Sequence, residues 1–186
     1  VTTFANSVNV LQDKMANELL GLLAMGARVG QWAQLTNILE SHITGDPTFR
    51  FQSMNEIDVC ELLKTDYEEN RTLRWLESPY ADIQNLALHL LYRHGYSDIS
   101  KLLRHTYEHS PYKMVRYTSL ALLQKLNDEN FRAVLPQALT DSYEFIRRCS
   151  VRMMQQVGLD EYVYPQIKAY VEDHLSKRVA FNITLG

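Results

Sequence analysis

The sequence contains few cysteines, no long apolar run and no excess of positive charge. Its two cysteines, Cys60 and Cys149, are too few for a disulfide framework and do not form a Cys-x-x-Cys pair. No stretch approaches the roughly 20 apolar residues that span a bilayer, and the N-terminus lacks the basic region of a signal peptide. The chain has 19 Lys and Arg against 22 Asp and Glu, whereas a dedicated nucleic-acid binder is strongly basic. These absences predict a cytoplasmic protein whose partner is not a nucleic acid.

Catalytic and metal-binding motifs are also absent. The 7 glycines are scattered and form no phosphate-binding loop, and no G-x-S-x-G sequence occurs. His105 and His109 are four residues apart and can share one face of a helix, but the chain contains no H-E-x-x-H motif and no His-Glu dipeptide. Cys60 and Cys149 fall in apolar helical patterns, where we expect buried thiols. We therefore predict no catalytic residues, no metal ion and no cofactor.

What the sequence does contain is a repeat of about 32 residues. Copies begin at Ser78 (S-P-Y-A-D-I-Q-N-L-A), Ser110 (S-P-Y-K-M-V-R-Y-T-S) and Ser142 (S-Y-E-F-I-R-R-C-S). Each copy has an apolar anchor, and positions i, i+4 and i+7 from it lie on one face of a helix. Over the whole chain the anchors are Met15, Phe49, Ile83, Val115, Ile146 and Val179. The small residues four positions later, expected to be buried against a neighbouring helix, are Ala87, Ser119 and Ser150.

Each repeat is long enough for two helices joined by a turn. Asn127-Asp128 is predicted to separate a first helix from a second, and Pro136 to mark the start of a second helix. In the less regular N-terminal part we predict a helix from Gln31 to His42 and a further first helix after Pro47. No stretch shows the strict alternation that is typical of a half-buried strand.

The predicted fold class is therefore all-α. Stacked hairpins bury one continuous core, so we predict a solenoid of about five helical hairpins plus a partial sixth. One domain is predicted over residues 1–186, with divergent repeats in 1–77 and regular repeats in 78–186. The chain starts without an initiator Met and ends inside an apolar helical pattern, so we expect a fragment of a longer protein.

The repeats resemble HEAT repeats, in particular the short bacterial subtype that also occurs in phycobilisome lyases. That subtype opens with Asp/Ser-Pro and continues with Val-Arg and then a small residue. Val115-Arg116 and Ile146-Arg147 match this pattern well, and Arg50 stands at the same position in an earlier repeat. The resemblance implies a right-handed α-α superhelix but no chemistry, because such a fold carries unrelated functions. It also implies that the three arginines bond neighbouring loops along the stack.

A second resemblance concerns the N-terminal part. The segments A-N-E-L-L-G-L-L and G-D-P-T-F-R-F-Q-S-M-N-E-I are similar to HEAT tails fused to bacterial membrane transporters of nucleotide or major-facilitator type. This resemblance implies a soluble regulatory tail, which would meet a membrane only through its fusion to a transporter. By family analogy alone, a HEAT-like lyase or a DNA glycosylase-type enzyme is a further alternative.

The function we predict is a non-enzymatic scaffold that binds a protein or a peptide. In a stack of hairpins the second helices line the concave side, and their polar residues form an extended surface. The residues predicted to bind a partner there are Lys101, Arg104, His105, Glu108, Arg132, Gln137, Gln166 and Glu172. Their mixed charge suits a protein or peptide partner better than a phosphate backbone.

Overall fold

A computed structural model of the chain describes residues 2–6, 19–36, 41–157 and 164–165. Over these residues the chain is predominantly helical and contains one short two-stranded sheet. The prediction of a helical protein is therefore confirmed, whereas the sheet was not predicted. The chain divides into two compact units, Val1–Tyr96 and Ser97–Gly186.

The first unit combines short helices with the sheet. Its elements are strand β1 (Thr3–Asn6), helices α1 (Gly21–Ala24) and α2 (Val29–Thr36), strand β2 (Ser41–Thr44), helices α3 (Val59–Leu62) and α4 (Glu69–Arg74), a 3-10 turn (Trp75–Glu77) and helix α5 (Ala81–Arg93). β1 pairs with β2 in antiparallel fashion, with Phe4 opposite Ile43. The ring of Phe4 meets the indole of Trp32 edge to face, with 4.6 Å between centroids, so the sheet is attached to the core at α2.

The core of the first unit joins its N-terminal helices to α5. Its buried residues are Leu19, Leu22, Met25, Ala27, Trp32, Leu35, Val59, Ile83 and Leu86. Gly21 lies close to the side chain of Asp82: a Cβ at Gly21 would lie 2.3 Å from a carboxylate oxygen, so a larger residue there would displace that carboxylate. The Asp82 carboxylate accepts a hydrogen bond from the Gly21 N–H, and burial raises the pKa of Asp82 above its ordinary value.

The helix predicted over Gln31–His42 is wrong in its bounds. α2 ends at Thr36, and His42 lies in β2 opposite Ala5. β2 is only four residues long and contains one apolar residue, Ile43, so it shows no alternation that the sequence analysis could detect. A strand forms there because β1 supplies its hydrogen-bond partners.

The first helix predicted after Pro47, anchored on Phe49, is also wrong. Pro47 lies in a turn and Phe49 in a loop, where its side chain is exposed. The carbonyls of Pro47 and Phe49 accept hydrogen bonds from the N–H groups of Gly30 at 2.8 Å and Val29 at 3.0 Å. These are among the first N–H groups of α2, which have no partner inside their own helix. The segment therefore satisfies the start of α2 instead of beginning a helix itself.

The second unit consists of longer helices over the residues that the structure describes. They are α6 (Ile99–His109), α7 (Lys113–Leu126), α8 (Glu129–Leu139) and α9 (Glu144–Val157). α6 contacts both α7 and α8, and α8 contacts both α7 and α9. The predicted turn at Asn127-Asp128 is confirmed: Asn127 has a left-handed backbone (φ 51°), and the Asp128 carboxylate accepts the Phe131 N–H at 3.1 Å.

Pro136 does not mark the start of a helix. It lies inside α8, which begins at Glu129 directly after the Asn127-Asp128 turn. A proline inside a helix removes one backbone hydrogen bond, here the bond to the carbonyl of Arg132. α8 ends three residues later at Leu139.

The buried small residues of the repeat are confirmed. Ala87, Ser119 and Ser150 are all fully buried, on α5, α7 and α9 respectively. Cys60 and Cys149 are both buried thiols, as predicted. The outermost anchors, Met15 and Val179, lie outside the described residues.

Ser119 provides a test of helix packing. Ser119→Leu should lower the free energy of unfolding by about 1–3 kcal/mol, because a larger side chain overpacks the contact, and Ser150→Leu should do the same. Ser119→Ala should leave the free energy of unfolding unchanged or raise it slightly, since the buried hydroxyl of Ser119 has no hydrogen-bond partner among the described residues. Urea unfolding followed by circular dichroism measures all three. Parent-like stability of both Leu variants would show that this helix face is not tightly packed.

Candidate functional site

The exposed polar residues of α6 and α8 form the surface on which the sequence analysis placed a partner. We call this surface the second-helix face. It consists of Lys101, Arg104, His105 and Glu108 on α6, and of Arg132 and Gln137 on α8, all of them exposed. The other two predicted residues, Gln166 and Glu172, lie outside the described residues.

The buried side chains of α6 and α8 show which side of each helix packs into the core. Leu103 and Tyr107 are buried on α6, and Phe131 and Leu135 are buried on α8. Each pair is spaced four residues apart, so it occupies one side of its helix. α6 and α8 also contact each other, and both carry these exposed residues on regular helices instead of loops.

A polar network joins α6 to the start of α8. The hydroxyl of Ser100 donates a hydrogen bond to the Asp128 carboxylate, and it accepts one from the Asn130 amide at 2.8 Å. Arg104 Nη1 lies 3.5 Å from Asn130 Oδ1. Because Asp128 also caps α8, the network fixes the position of α8 along α6 and places Arg104 where it reaches both helices.

Two cationic side chains of the second-helix face, Lys101 and Arg104, form exposed ion pairs. Lys101 Nζ lies 3.0 Å from Asp98, and Arg104 Nε lies 2.9 Å from Glu108. Exposed ion pairs of this kind stabilise a protein by only about 0–1 kcal/mol. A partner can therefore replace either pair with little loss of folding stability.

The two histidines at the end of α6 interact with each other. The rings of His105 and His109 are stacked with 4.2 Å between centroids, and His109 Nδ1 lies 2.8 Å from the His105 carbonyl oxygen. In the part of the chain that the structure describes, no three His, Cys, Asp or Glu side chains are grouped so that they could hold a metal ion.

A recurring hydrogen bond fixes the start of three helices. A side chain in the first turns of α5, α7 and α9 donates to the carbonyl of the residue six positions earlier. The distances are 2.6 Å from Gln84 to Ser78, 3.1 Å from Arg116 to Ser110 and 2.6 Å from Arg147 to Asp141. Each bond ties the helix to the turn before it.

Of the three arginines predicted to bond neighbouring loops, Arg116 does so. Its guanidinium also reaches Asp141 and Ser142 in the turn between α8 and α9. Arg147 donates to the turn that precedes its own helix, and the loop that would follow α9 lies outside the described residues. Arg50 pairs instead with Asp58 at 3.0 Å.

Asp141 is the residue that the sequence analysis missed. Its carboxylate accepts two hydrogen bonds from Arg116, both at 2.9 Å, one from the Tyr143 N–H at 2.7 Å and one from the Tyr107 hydroxyl at 3.3 Å. An Asp two residues before a backbone N–H donor is typical of an Asx turn, which is the local signal that could have identified it. Its partners on α6 and α7 are distant in the sequence.

Burial and hydrogen bonding act in opposite directions on Asp141. Burial by itself would raise the pKa of the carboxyl, but the hydrogen bonds from Arg116, the Tyr143 N–H and Tyr107 outweigh it, so the pKa of Asp141 is lowered. Burial, together with the charge of Asp141, raises the pKa of the Tyr107 hydroxyl. The carboxylate is therefore charged in the folded protein at neutral pH.

No protein-family model, curated protein or solved structure matches the chain. Within the described residues, no helix is both long enough and apolar enough to cross a membrane.

Replacing Asp141 tests the network beneath the second-helix face. Asp141→Asn should lower the free energy of unfolding by about 3–5 kcal/mol, because it leaves the largely buried Arg116 without its counter-charge. The pKa of Asp141 is lower in the folded chain than in the unfolded chain, so its stabilising effect is present above about pH 4 and is lost as the pH falls through the folded pKa. Urea unfolding from pH 7 to pH 2 measures both effects.

The matched control is Asp98→Asn, which removes an exposed partner from the Lys101 pair in the same unit. We expect this change to cost no more than about 1 kcal/mol. The role assigned to Asp141 is wrong if the two variants are equally stable, or if Asp141→Asn loses as much stability in acid as the parent does.

Proposed function

We propose that the chain is a HEAT-like α-solenoid scaffold that binds a protein or peptide partner through the second-helix face and catalyses no reaction itself. One observation carries the proposal. α6 and α8, taken as the second helices of successive repeats, contact each other, and both contribute exposed charged residues to the surface of the second unit. Such a surface offers several separate contacts to an extended partner.

Features that recur at equivalent positions support a solenoid of hairpins. The small residues Ala87, Ser119 and Ser150 are buried in three successive repeats. Hydrogen bonds from Gln84, Arg116 and Arg147 fix the three first helices in the same way. Within the second unit, the α6–α8 contact is what a stack of hairpins requires, because each repeat buries its apolar face only against its neighbours. The superhelix and a single repeat domain over 1–186 are part of the proposal.

The position of the perturbed ionisable groups supports binding over catalysis. Tyr107, Arg116 and Asp141 have shifted pKa values in the second unit, but they are hydrogen-bonded to one another. A general acid or base must come within hydrogen-bond reach of the substrate. Asp141 and Arg116 are only 5% and 13% exposed, so these groups serve the packing of the helices.

Reversing two charges on the second-helix face tests the proposal. Arg104→Glu together with Arg132→Glu should reduce recovery of the partner at least about tenfold in a pull-down from the native host, because a few residues, often Arg, dominate an interface. Each exposed substitution should change the free energy of unfolding by only about 0.5 kcal/mol. Thermal unfolding of the purified variant checks that the fold is retained.

The matched control is Lys113→Glu together with Lys125→Glu. Both lysines are exposed on α7 in the same unit, so the charge change is equal but lies outside the second-helix face. We expect this control to recover the same proteins as the parent. Equal recovery with both double variants would contradict the assignment of the second-helix face, and turnover of a substrate by the purified chain would contradict the non-enzymatic role.

A further inference from the structure

A cavity of about 570 Å³ lies in the first unit, beside the 3-10 turn that follows α4. Its apolar wall is formed by Ile57, Leu62, Trp75 and Ile83. Ligand pockets in proteins have volumes of about 300–1,000 Å³ and combine an apolar lining with a few polar groups. The cavity lies within the first unit, so it is distinct from the second-helix face.

The rim of the cavity is acidic. It includes four carboxylates and one cationic side chain. The carboxylates belong to Glu56, Asp58, Glu61 and Glu77, and the cation is Arg74. The Asp58 carboxylate forms an ion pair with Arg50 at 3.0 Å, and the Glu61 carboxylate forms one with Lys64 at 2.7 Å.

Two of the rim carboxylates, those of Glu56 and Glu77, form no ion pair within the part of the chain that the structure describes. Both residues are exposed. They therefore provide negative charge for a ligand from outside the chain.

The loop that leads into the cavity wall exposes large apolar side chains. Phe49 is 47% exposed, Phe51 53% and Met54 91%. The rings of Phe49 and Phe51 meet at 5.3 Å between centroids. Two residues after Met54, the loop enters the rim at Glu56. Apolar side chains clustered in one exposed segment are typical of an interaction site.

We propose that the cavity and this loop bind a basic amphipathic peptide segment of a protein partner. Lys or Arg side chains of the segment pair with Glu56 and Glu77. Its apolar side chains cover Phe51 and Met54 and enter the cavity beside Trp75. The charge of the rim selects a cationic occupant, and the apolar wall together with the loop selects an amphipathic one. Trp75 already accepts a cation, since the Arg71 guanidinium lies 5.8 Å from the centre of its ring.

The test uses a labelled amphipathic helical peptide of about four turns, built from Leu and Lys, and a counterpart with Glu in place of Lys. Both are titrated with the complete 186-residue chain in fluorescence anisotropy. We expect saturable binding of the Leu/Lys peptide and at least about tenfold weaker binding of the Leu/Glu peptide, because like charges oppose each other at the rim. Lack of saturable binding, or equal binding of both peptides, would overturn the proposal.

Two double variants locate the peptide. Glu56→Gln with Glu77→Gln should weaken binding about fivefold, since each exposed ion pair contributes modestly. The control, Asp66→Asn with Glu69→Gln, removes the same charge from exposed positions of the first unit outside the cavity and should bind as the parent does. If both double variants weaken binding equally, the peptide recognises only the net charge, and the cavity is not its site.

The emission of Trp75 reports occupation of the cavity directly. The chain has 2 tryptophans, and Trp32→Phe leaves Trp75 as the sole reporter. Trp32 is buried, and its indole N–H has no hydrogen-bond partner among the described residues, so we expect the variant to fold. The Leu/Lys peptide should shift the emission of Trp75 with the same midpoint as the anisotropy. Binding in anisotropy without any change in emission would place the peptide elsewhere and contradict the proposal.

Discussion

The carboxylate of Asp141 links α6, α7, α8 and α9, the helices of the second unit in the part of the chain that the structure describes. It lies in the turn between α8 and α9, accepts hydrogen bonds from Tyr107 on α6 and Arg116 on α7, and accepts the Tyr143 N–H just before α9. A buried charge is costly unless it is paired and fully hydrogen-bonded. The helices must therefore keep the arrangement that satisfies this carboxylate, and the position of the second-helix face on α6 and α8 depends on it.

Arg116 shows how one residue of the repeat takes on two roles. Its hydrogen bond to Ser110 is the same bond that Gln84 makes to Ser78 and Arg147 makes to Asp141. A glutamine is sufficient for that bond. A guanidinium has several N–H donors in one plane, so an arginine can also donate to both oxygens of a carboxylate in the next turn. Arg116 therefore joins its own repeat to the following one, whereas the bond that Gln84 makes within the described residues fixes the start of its own helix.

The sequence predicted the second unit well because its structure is set by local patterns. The spacing of Val115, Ser119 and Leu122 places them on one face of a helix, and all three are buried. The first unit was predicted poorly because hydrogen bonds to residues distant in the sequence outweigh its local sequence patterns. Asp46-Pro47-Thr48-Phe49 resembles a helix start, but the carbonyls of Pro47 and Phe49 are bonded to α2.

The network of Asp141 and the acidic cavity could not be predicted for a related reason. Both depend on residues brought together from separate parts of the chain. Asp141 meets Arg116 from 25 residues away and Tyr107 from 34 residues away. Glu56 precedes α3 and Glu77 ends the 3-10 turn after α4, so two side chains 21 positions apart in the sequence line the same cavity. Charge counts indicate that residues 1–78 are acidic, but they do not show which carboxylates converge.

The division between first and second helices explains where a binding function can develop on such repeats. Ser119 and Ser150 on the first helices are fully buried, so a larger side chain there is costly. Arg104 and Arg132 on the second helices are exposed, and exposed substitutions usually change the free energy of unfolding by only about 0.5 kcal/mol. The second-helix face can therefore change its charge and shape to suit a partner while the packing of the first helices stays constant. Buried positions such as Ser119 and Ser150 are therefore fixed by packing, whereas exposed positions such as Arg104 and Arg132 can change without loss of the fold.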